Sequence, residues 1–494
     1  MKLKYLFLFA SPLVILSGCS RADNPNVILF LVDDLGWTDL GCYGSDMYQN
    51  PNVDKLASEG MRFTSAYSSC TVCSPTRASI MTGKYPAALR CTDFISGHVK
   101  PFAKYSPPDW TKYLDLEEYT LASAMRNAGY KTIHLGKWHL GEDEKFWPEK
   151  QGFEINIGGW KAGQPLKARE GCEGYFSPWC NPRLENGADG DYLTERLSEE
   201  AVNFIKNRKG KKEPFFINFW FYNVHTPLQA REEKIEKYRQ LIDSSHHHTN
   251  PVYAAMIEHM DDAVGIIMSV LKEEGFDDNT IIFFTSDNGG LMNVTSNYPL
   301  RNGKGDLFEG GVRVPFIARW NKKIKAGTLN HNPVISMDIY PTILGLTHVQ
   351  GNASQNAKMD GIDISSTLLH QKPPGRETLF WHYPHYHPGG ALPYSAIRKE
   401  NWKLIEIFEH DTPMLFNLEN DIGEESDLYS KNPEKAAELL TELKNWRLKV
   451  KAQMPVDNLD YYPEYHDKFK PGGVWNQEAK MKFLEMLKKQ KSNL

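Results

Sequence analysis

A short stretch from Cys73 to Gly83 combines side chains that could act on a negatively charged group. Pro75 suits the first turn of a helix, where its missing N–H is not needed, and Gly83 is typical of a helix end. Cys73 is therefore predicted at a helix N-terminus, which attracts anions, with Arg77 on the same helix face. These residues predict a site for a tetrahedral oxyanion. The alternative is a buried structural cysteine.

Carboxylate and amide side chains follow two predicted strands. Asp33 and Asp34 come directly after the apolar run 26–32, and Asp287 and Asn288 follow a run that ends near residue 285. Open α/β sheets bind ligands beyond the carboxyl ends of their strands. Hard oxygen ligands suit Ca²⁺ or Mg²⁺. A solvated turn would explain the first pair equally well, but the second pair favours a shared metal site.

Basic side chains occur at further strand ends. Lys137 and His139 follow the predicted strand 131–135 and are expected to alternate as strand neighbours on one face. His225 follows another buried strand, and Lys304 lies in a glycine-rich segment. Each residue alone is more typical of a surface or structural role. Their shared position at strand ends predicts a single site.

The N-terminal residues 1–18 have the features of a lipoprotein signal peptide. Lys2 and Lys4 precede an apolar run that is too short to span a membrane. The run ends in a sequence that resembles a bacterial lipobox, with Cys19 as the lipidated first residue of the mature protein. We expect a lipid anchor at a membrane of the bacterial cell envelope, either periplasmic or at the cell surface. The alternative is a soluble secreted protein.

Composition narrows the possible partners and domains. The 494 residues carry a net charge of −5, so bulk charge gives no reason to expect nucleic-acid binding. Strands alternating with helices over residues 24–375 predict a large α/β domain, and hairpin-like segments with one helix predict a smaller α+β domain over residues 376–494. Besides Cys19 and Cys73 there are five cysteines, so at least one thiol stays unpaired. Cys172 with Cys180 would close a short loop, but the sequence does not fix the pairing.

The motif Cys-x-Pro-x-Arg at Cys73, Pro75 and Arg77, followed by Thr82-Gly83, resembles the signature of the type I sulfatases. Five separate motifs follow the order of this family over residues 25 to about 450. The resemblance implies a large α/β domain with a central mixed sheet between helices, similar to alkaline phosphatase. It also implies a smaller C-terminal α+β domain with an antiparallel sheet.

The resemblance also implies roles for individual residues. Cys73 would be converted to formylglycine, whose hydrate is the nucleophile, by a formylglycine-generating or anaerobic sulfatase-maturing enzyme. The Ca²⁺ ligands would be Asp33, Asp34, Asp287 and Asn288, with the converted Cys73 also in contact. Arg77 would steady the hydrate, and Lys137 and Lys304 would hold the sulfate. His139 and His225 would be the catalytic histidines.

The expected substrate is a sulfated oligosaccharide or polysaccharide that loses O-sulfate in the exo manner, with galactose or N-acetylgalactosamine 4-sulfate as the preferred unit. The residues proposed to recognise the sugar are Arg301, Asn302, His98, Trp160, His382, His385 and His387. Singly, each is more typical of packing or of the surface. One alternative is a phosphodiesterase or phosphonate monoester hydrolase of the same superfamily. Another is a non-catalytic glycan-binding lipoprotein with an unconverted Cys73.

Overall fold

The structure is a computed structural model that describes residues 24–98, 100–167 and 171–463, together with residues 485 and 489. The predicted signal peptide and Cys19 lie outside the described residues. Among the described residues, no helix is both long enough and apolar enough to cross a membrane.

A mixed eight-stranded sheet forms the centre of the large domain. Its strands are β1 (Asn26–Val32), β2 (Met61–Phe63), β5 (Lys131–Gly136), β6 (Ile155–Ile157), β7 (Phe215–Trp220), β8 (Thr280–Ser286), β9 (Phe316–Trp320) and β10 (Thr328–Asn330), in the order β10-β2-β9-β8-β1-β7-β5-β6. Strands β6, β5, β7, β1 and β8 are parallel, whereas β9 runs antiparallel to both β8 and β2. The predicted mixed sheet is confirmed.

Helices cover both faces of this sheet. They are α1 (Pro51–Ser58), α2 (Cys73–Thr82), α3 (Pro86–Leu89), α4 (Leu121–Asn127), α5 (Leu193–Lys206), α6 (Glu232–Arg239), α7 (Pro251–Glu273), α8 (Glu309–Val312), α9 (Ile339–Thr347), α10 (Ala353–Asn356) and α11 (Ser365–His370). The side chains of β1 alternate between the two layers: Ile28 and Phe30 pack with α5 and α7, whereas Leu29 and Leu31 pack with α2 and α9. This alternation explains why β1 reads as a continuous apolar run, since both of its faces are buried.

The C-terminal unit is an antiparallel sheet with one long helix. The sheet contains β12 (Thr378–Tyr383), β13 (Tyr394–Lys399), β14 (Trp402–Ile407) and β15 (Met414–Asn417), each paired with the next, and α12 (Pro433–Val450) packs on it. Short strand pairs join β3 (Ala66–Tyr67) to β11 (Val334–Ile335) and β4 (Tyr105–Ser106) to β16 (Val456–Asp457). The predicted small α+β unit is confirmed, and the boundary placed at residue 375 stays a prediction.

The register of the central strands brings the predicted ligand pairs side by side. Val32 pairs with Ser286, so the residues after β1 and β8 leave the sheet at the same edge. The predicted alternation of Lys137 and His139 along a strand is wrong, because β5 ends at Gly136, which has a positive φ of 90°. Cys172 and Cys180 form a disulfide bond.

Candidate active site

Helix α2 begins at Cys73, as the position of Pro75 predicts. Its preceding residue, Val72, is extended, and the helix ends at Gly83 in the left-handed conformation with a φ of 71°. Every residue of the helix is buried, including Arg77. The thiol of Cys73 therefore lies at the positive end of a helix dipole, inside the protein rather than on its surface.

Four oxygen-bearing side chains meet at the carboxyl ends of β1 and β8. The backbone N–H of Asp34 donates to Oδ1 of Asp287 at 3.2 Å, and Nδ2 of Asn288 donates to Oδ1 of Asp34 at 2.8 Å. Asp33 is fully buried beside them. Burial, reinforced by the neighbouring carboxylates, raises the pKa of Asp33, although Lys137 opposes this effect. Like charges held in a dry site are unfavourable without a cation.

Three cationic side chains surround these carboxylates. Lys137 Nζ donates to Oδ2 of Asp33 at 2.6 Å, and Lys304 Nζ donates to Oδ2 of Asp34 at 2.7 Å. The guanidinium of Arg77 lies 2.7 Å from Oδ2 of Asp287 through Nη2 and also donates from Nε to the same atom at 2.9 Å. Thus the two lysines and the arginine proposed from the sequence converge on the carboxylate cluster.

The two proposed catalytic histidines contact different site residues. Nδ1 of His139 is 3.3 Å from Sγ of Cys73, and Nε2 of His225 is 3.6 Å from Oδ2 of Asp34. His139 reaches Cys73 from a left-handed backbone position with a φ of 58°. His139 lies beyond the end of β5, so the alternation of side chains along a strand does not apply to it.

The electrostatics leave both histidines neutral at neutral pH. Burial, with the charge of Lys137, lowers the pKa of His139 well below its usual value. Burial, with the charge of Lys304, lowers the pKa of His225 to about 3. Lys304 is the opposite case: burial alone would lower its pKa, but the attraction of Asp34 raises it above the usual value. In this state Lys304 is protonated, whereas His225 is not.

Two unsatisfied oxygens indicate where a cation would fit. Oδ1 of Asp33 and Oδ1 of Asn288 are buried and accept no hydrogen bond within the described structure. Asp33, Asp34 and His225 each present a potential ligand atom, and these three atoms lie within 4.8 Å of one another. The carboxylate and amide donors have the oxygen chemistry that calcium prefers. The residues present therefore fit a hard divalent cation.

The histidines proposed for sugar recognition are not equally placed. His387 packs against Gly305, where an added Cβ would lie 2.1 Å from its Nδ1, so it adjoins the Lys304 loop. His385 is fully buried, with Nε2 at 2.8 Å from the hydroxyl of Thr92. The ring nitrogens of His382 are 2.7 Å from the Ser395 hydroxyl and 2.8 Å from the main-chain oxygen of Gln453, so both of these hydrogen bonds lie outside the carboxylate cluster.

The other proposed recognition residues form hydrogen bonds within the protein. Arg301 donates from Nη1 to the main-chain oxygen of Glu424 at 2.7 Å, and Asn302 donates from Nδ2 to Asp306 at 2.8 Å. The backbone N–H of His98 donates to Asp93 at 3.4 Å. Trp160 is buried, and its main-chain oxygen accepts from the N–H of His139 at 3.1 Å. Their role in binding a sugar stays a prediction.

The sequence did not predict several residues that hold the proposed site residues in place. The hydroxyl of Ser74 donates to the main-chain oxygen of His139 at 2.8 Å, and the hydroxyl of Tyr175 donates to that of His225 at 2.9 Å. Tyr253 donates to the main-chain oxygen of Asp34 at 3.1 Å. Only the position of Ser74 inside the motif could have indicated its supporting role. Tyr175 lies in a loop without periodicity, where no sequence feature indicates such a role.

Two family models match the chain. One, described as Sulfatase, covers residues 25–349, and the other, described as N-sulphoglucosamine sulphohydrolase, C-terminal, covers residues 303–453. Together they span both units of the structure.

Individual relatives agree with these matches. The chain is 30% identical over 515 residues to a protein named Sulfatase from Formosa agariphila, covering 90% of this chain and 93% of that one. It is 33% identical over 361 residues to N-acetylgalactosamine-6-sulfatase of Rattus norvegicus, covering 70% of this chain and 66% of the relative. Among solved structures it resembles that of Ps i-CgsB in complex with k-i-k-neocarrahexaose, with a TM-score of 0.73, 28% identity and coverage of 93% and 96%.

Proposed function

The chain belongs to the sulfatase family, and from this premise we propose that it removes O-sulfate groups, in the exo manner, from a sulfated glycan. It is a sulfuric ester hydrolase. The observation that carries the proposal is that Cys73 lies 3.3 Å from a histidine and on the same helix as Arg77, which is paired with the buried cluster of carboxylates and cations. This is a site built to hold an anion next to a nucleophile.

The cationic residues supply the sulfate-binding side of the site. A sulfate ester is an anion that repels nucleophiles, so charge stabilisation must accompany attack at sulfur. Lys137 and Lys304 each donate to a carboxylate through a flexible side chain, and both ammonium groups lie at the cluster. We propose that they contact the sulfate oxygens, while Arg77, fully buried and bound to Asp287, fixes the geometry at Cys73.

We propose that calcium is the resident cation, held by Asp33, Asp34, Asp287 and Asn288. The oxygens of Asp33 and Asn288 that accept no hydrogen bond, and the crowding of carboxylates, support this assignment. When bound, the ion would offset the negative charge of the sulfate ester and polarise one of its oxygens. Residue 73, adjacent to the cluster, would complete the ligand set.

We propose that Cys73 is converted to formylglycine by a maturing enzyme. A hydrated aldehyde supplies one hydroxyl for attack at sulfur and a second hydroxyl whose deprotonation releases sulfate and restores the aldehyde. A serine would instead remain trapped as a sulfate ester. The position of residue 73 at the N-terminus of α2 supports the assignment, because developing negative charge is stabilised there.

The neighbouring histidines handle the protons. His139, neutral and 3.3 Å from residue 73, is placed to accept a proton from the hydroxyl there. Cleavage of the ester S–O bond leaves an alkoxide that must take up a proton. His225 with Lys304 is placed to provide it: Lys304 is charged, and the negative charge of an entering sulfate ester raises the proton affinity of His225.

The proposed substrate class is a sulfated galactose or N-acetylgalactosamine unit of a longer glycan. One relative is named for N-acetylgalactosamine 6-sulfate, and one similar structure holds a neocarrahexaose, which is an oligosaccharide. We expect the sulfate at the 4-position of the sugar, and comparison with the 6-sulfated sugar as substrate tests this expectation. His387 and Asn302 lie on the segment around Lys304 and are the first candidates for contact with the sugar.

We also propose that the protein is held at the cell envelope through a lipid on Cys19. The support is the sequence of residues 1–19, with its basic start, short apolar run and lipobox-like end. A peripheral enzyme held in this way would meet glycans outside the cytoplasm.

The test begins with a peptide mass spectrum across Cys73 in protein produced together with a formylglycine-generating enzyme. We expect the aldehyde at residue 73 and sulfate release from galactose or N-acetylgalactosamine 4-sulfate. Cys73→Ala should lose this activity while keeping its thermal midpoint. Cys42→Ala, at another free cysteine, is the matched control and should remain active.

Three results would overturn the proposal. One is undiminished sulfate release by Cys73→Ala. The second is converted protein that hydrolyses phosphate diesters but no sulfate ester, which would favour the related phosphodiesterases. An unmodified Cys73 made beside a competent maturing enzyme, together with glycan binding but no turnover, would favour a binding protein.

A further inference from the structure

The edge of the central sheet opposite the active site carries a concentration of positive charge. The segments 206–213, 272–278 and 319–325 contain ten cationic and five anionic side chains, hence a net charge of +5 in a chain whose net charge is −5. These segments precede β7, precede β8 and follow β9, so they lie where the parallel strands begin. The charge asymmetry therefore follows the axis of the sheet.

Ion pairs neutralise part of this edge but not the remaining lysines. Arg208 pairs with Glu213, Lys209 with Glu274, Arg319 with Asp277 and Lys322 with Asp278. Six lysines form no ion pair within the described residues and are exposed: Lys206, Lys211, Lys212, Lys272, Lys323 and Lys325. Unpaired cations are the part of a surface that remains available to an external anion.

Several of these cationic side chains line a cavity at the same edge of the sheet. It has a volume of about 670 Å³ and lies between α1, the second half of α7 and the turn after β9. Lys272, Lys323 and Lys325 line it, together with Lys322 and with Arg319, which is paired there with Glu59 and Asp277. An anionic group the size of a phosphate could enter it and meet several cations.

The described chain starts at this edge. The main-chain oxygen of Asn24 accepts from the side chain of Asn279 at 3.4 Å, and Asn26 pairs with Thr280 at the start of β8. Only four residues lie between Cys19 and Asn24, so the five residue steps reach at most about 17 Å. A lipid on Cys19 would therefore hold this edge, rather than any other part of the molecule, close to a membrane.

We propose that the basic edge formed by segments 206–213, 272–278 and 319–325 rests on anionic lipid headgroups, with the lysines of its cavity contacting their phosphates. Clusters of lysine and arginine beside a membrane anchor bind anionic lipid surfaces, and one lipid signal is strengthened by a second, electrostatic one. The inference rests on the proposed lipid attachment of Cys19, but it does not depend on sulfatase activity.

This arrangement sets the direction in which the active site opens. Strand β8 leads from the basic edge at Thr280 to Ser286, just before Asp287. Seven residues of strand span about 20 Å, so the catalytic cluster lies on the side away from the lipid surface. A polymeric glycan could then reach Lys304 and His225 without passing between protein and membrane.

The experiment uses the chain from Ser20 onward, which lacks the predicted leader and lipid and keeps every described residue. Its sedimentation is measured with vesicles of phosphatidylcholine alone and of phosphatidylcholine with phosphatidylglycerol, at low and high salt. We expect binding only to the anionic vesicles, lost at high salt because exposed charges are screened. The variant Lys211→Glu, Lys323→Glu and Lys325→Glu should bind at least about tenfold more weakly.

The matched control reverses three exposed lysines of the C-terminal unit: Lys431→Glu, Lys444→Glu and Lys449→Glu. It has the same net charge as the first variant and should bind like the unmodified chain, and both variants should keep their thermal midpoints. Equal loss of binding in the two variants, or no binding of the unmodified chain to anionic vesicles, would overturn the proposal. Binding of a soluble sulfated polysaccharide through Lys211, Lys323 and Lys325, without vesicle binding, would overturn it too.

Discussion

Lys403 and Glu309 form an ion pair of 2.8 Å in which neither side chain is exposed to solvent. Lys403 belongs to β14 of the C-terminal unit, and Glu309 opens α8, shortly after Lys304 in the large domain. Lys403 also lies 3.0 Å from Glu424, whose carboxylate accepts the backbone N–H of Glu309 at 2.6 Å. The C-terminal unit thus fixes the start of the helix that follows the segment around Lys304.

Replacing Lys403 by Met should destabilise the protein strongly, because it leaves the buried carboxylate of Glu424 without an ion pair and Glu309 with Arg313 alone. Removing one partner of a buried ion pair costs about 3–5 kcal/mol of unfolding free energy. Lys399→Met is the matched control, since Lys399 pairs with Glu438 and Glu442 at a partly exposed surface and should cost less than about 1 kcal/mol. Thermal and denaturant unfolding of both variants measure the difference.

A double variant separates lost charge pairing from lost packing. Lys403→Met combined with Glu424→Gln leaves Glu309 paired with Arg313 at 3.1 Å and no buried carboxylate without a cation, so it should be more stable than Lys403→Met alone. Equal instability of the single and double variants would mean that packing of the lysine stem, not its charge, holds the two units together.

The sequence predicts well which residues lie at the carboxyl ends of the central strands, because these residues directly follow the strands in sequence. Asp33 and Asp287 each follow an apolar run, and the parallel pairing of β1 with β8 brings them to one place. The helix from Cys73 to Thr82 was likewise predictable from Pro75 and Gly83. In each case a short pattern specifies both the element and the position of the polar group at its end.

Contacts between distant segments could not be predicted in this way. Thr92 meets His385 across 293 positions of sequence, and Lys403 meets Glu309 across 94. Nothing in the spacing near Glu309 distinguishes it from a surface residue, since its burial depends on the position of the C-terminal sheet. The same limit explains His382, whose neighbours in sequence suggested sugar binding but whose ring is held by Ser395.

Loss of one carboxylate should abolish calcium binding. In Asp287→Asn the side chain keeps its size and loses the charge that balances a cation, so we expect elemental analysis to find no retained calcium. Added calcium should raise the thermal midpoint of the unmodified protein, by the equivalent of about 2.7 kcal/mol at a hundredfold excess over the dissociation constant, and leave that of Asp287→Asn unchanged.

The control for the metal prediction is Asp261→Asn, a buried aspartate of α7 that binds the backbone of Val53 at 2.8 Å. It should retain the calcium response. A calcium-induced shift of the same size in Asp287→Asn, or full activity of the unmodified protein after exhaustive chelation, would refute the assigned site.

The role of His225 can be tested through the leaving group. If His225 with Lys304 protonates the departing alcohol, His225→Ala should lower kcat on a sulfated sugar by about 10²–10⁴-fold. The same change should matter much less for 4-nitrophenyl sulfate, whose phenolate leaves without a proton. His331→Ala, at an exposed histidine, should affect neither substrate. Equal losses on both substrates would assign His225 to sulfate binding instead.

A buried carboxyl group beside the site should make stability depend on pH. Asp93 is fully buried and accepts from the hydroxyl of Tyr383 at 2.7 Å and from the N–H of Phe94 at 2.9 Å. Burial raises the pKa of Asp93 to about 7. The folded chain therefore retains a proton that the unfolded chain releases near pH 4, and the resulting stabilisation is lost as the pH rises through about 7.

Asp93→Asn has no proton to lose at this position, so its stability should fall less than that of the unmodified protein between about pH 5 and pH 8. The loss of unfolding free energy should differ between the two proteins by about 2–3 kcal/mol, because only the unmodified chain binds an extra proton in the folded state over about two pH units. Thermal midpoints across this range measure it, and Asp189→Asn, which removes an exposed carboxylate, should follow the unmodified protein. A pH dependence of the unmodified protein as small as that of Asp93→Asn would show that Asp93 stays ionised in its buried position.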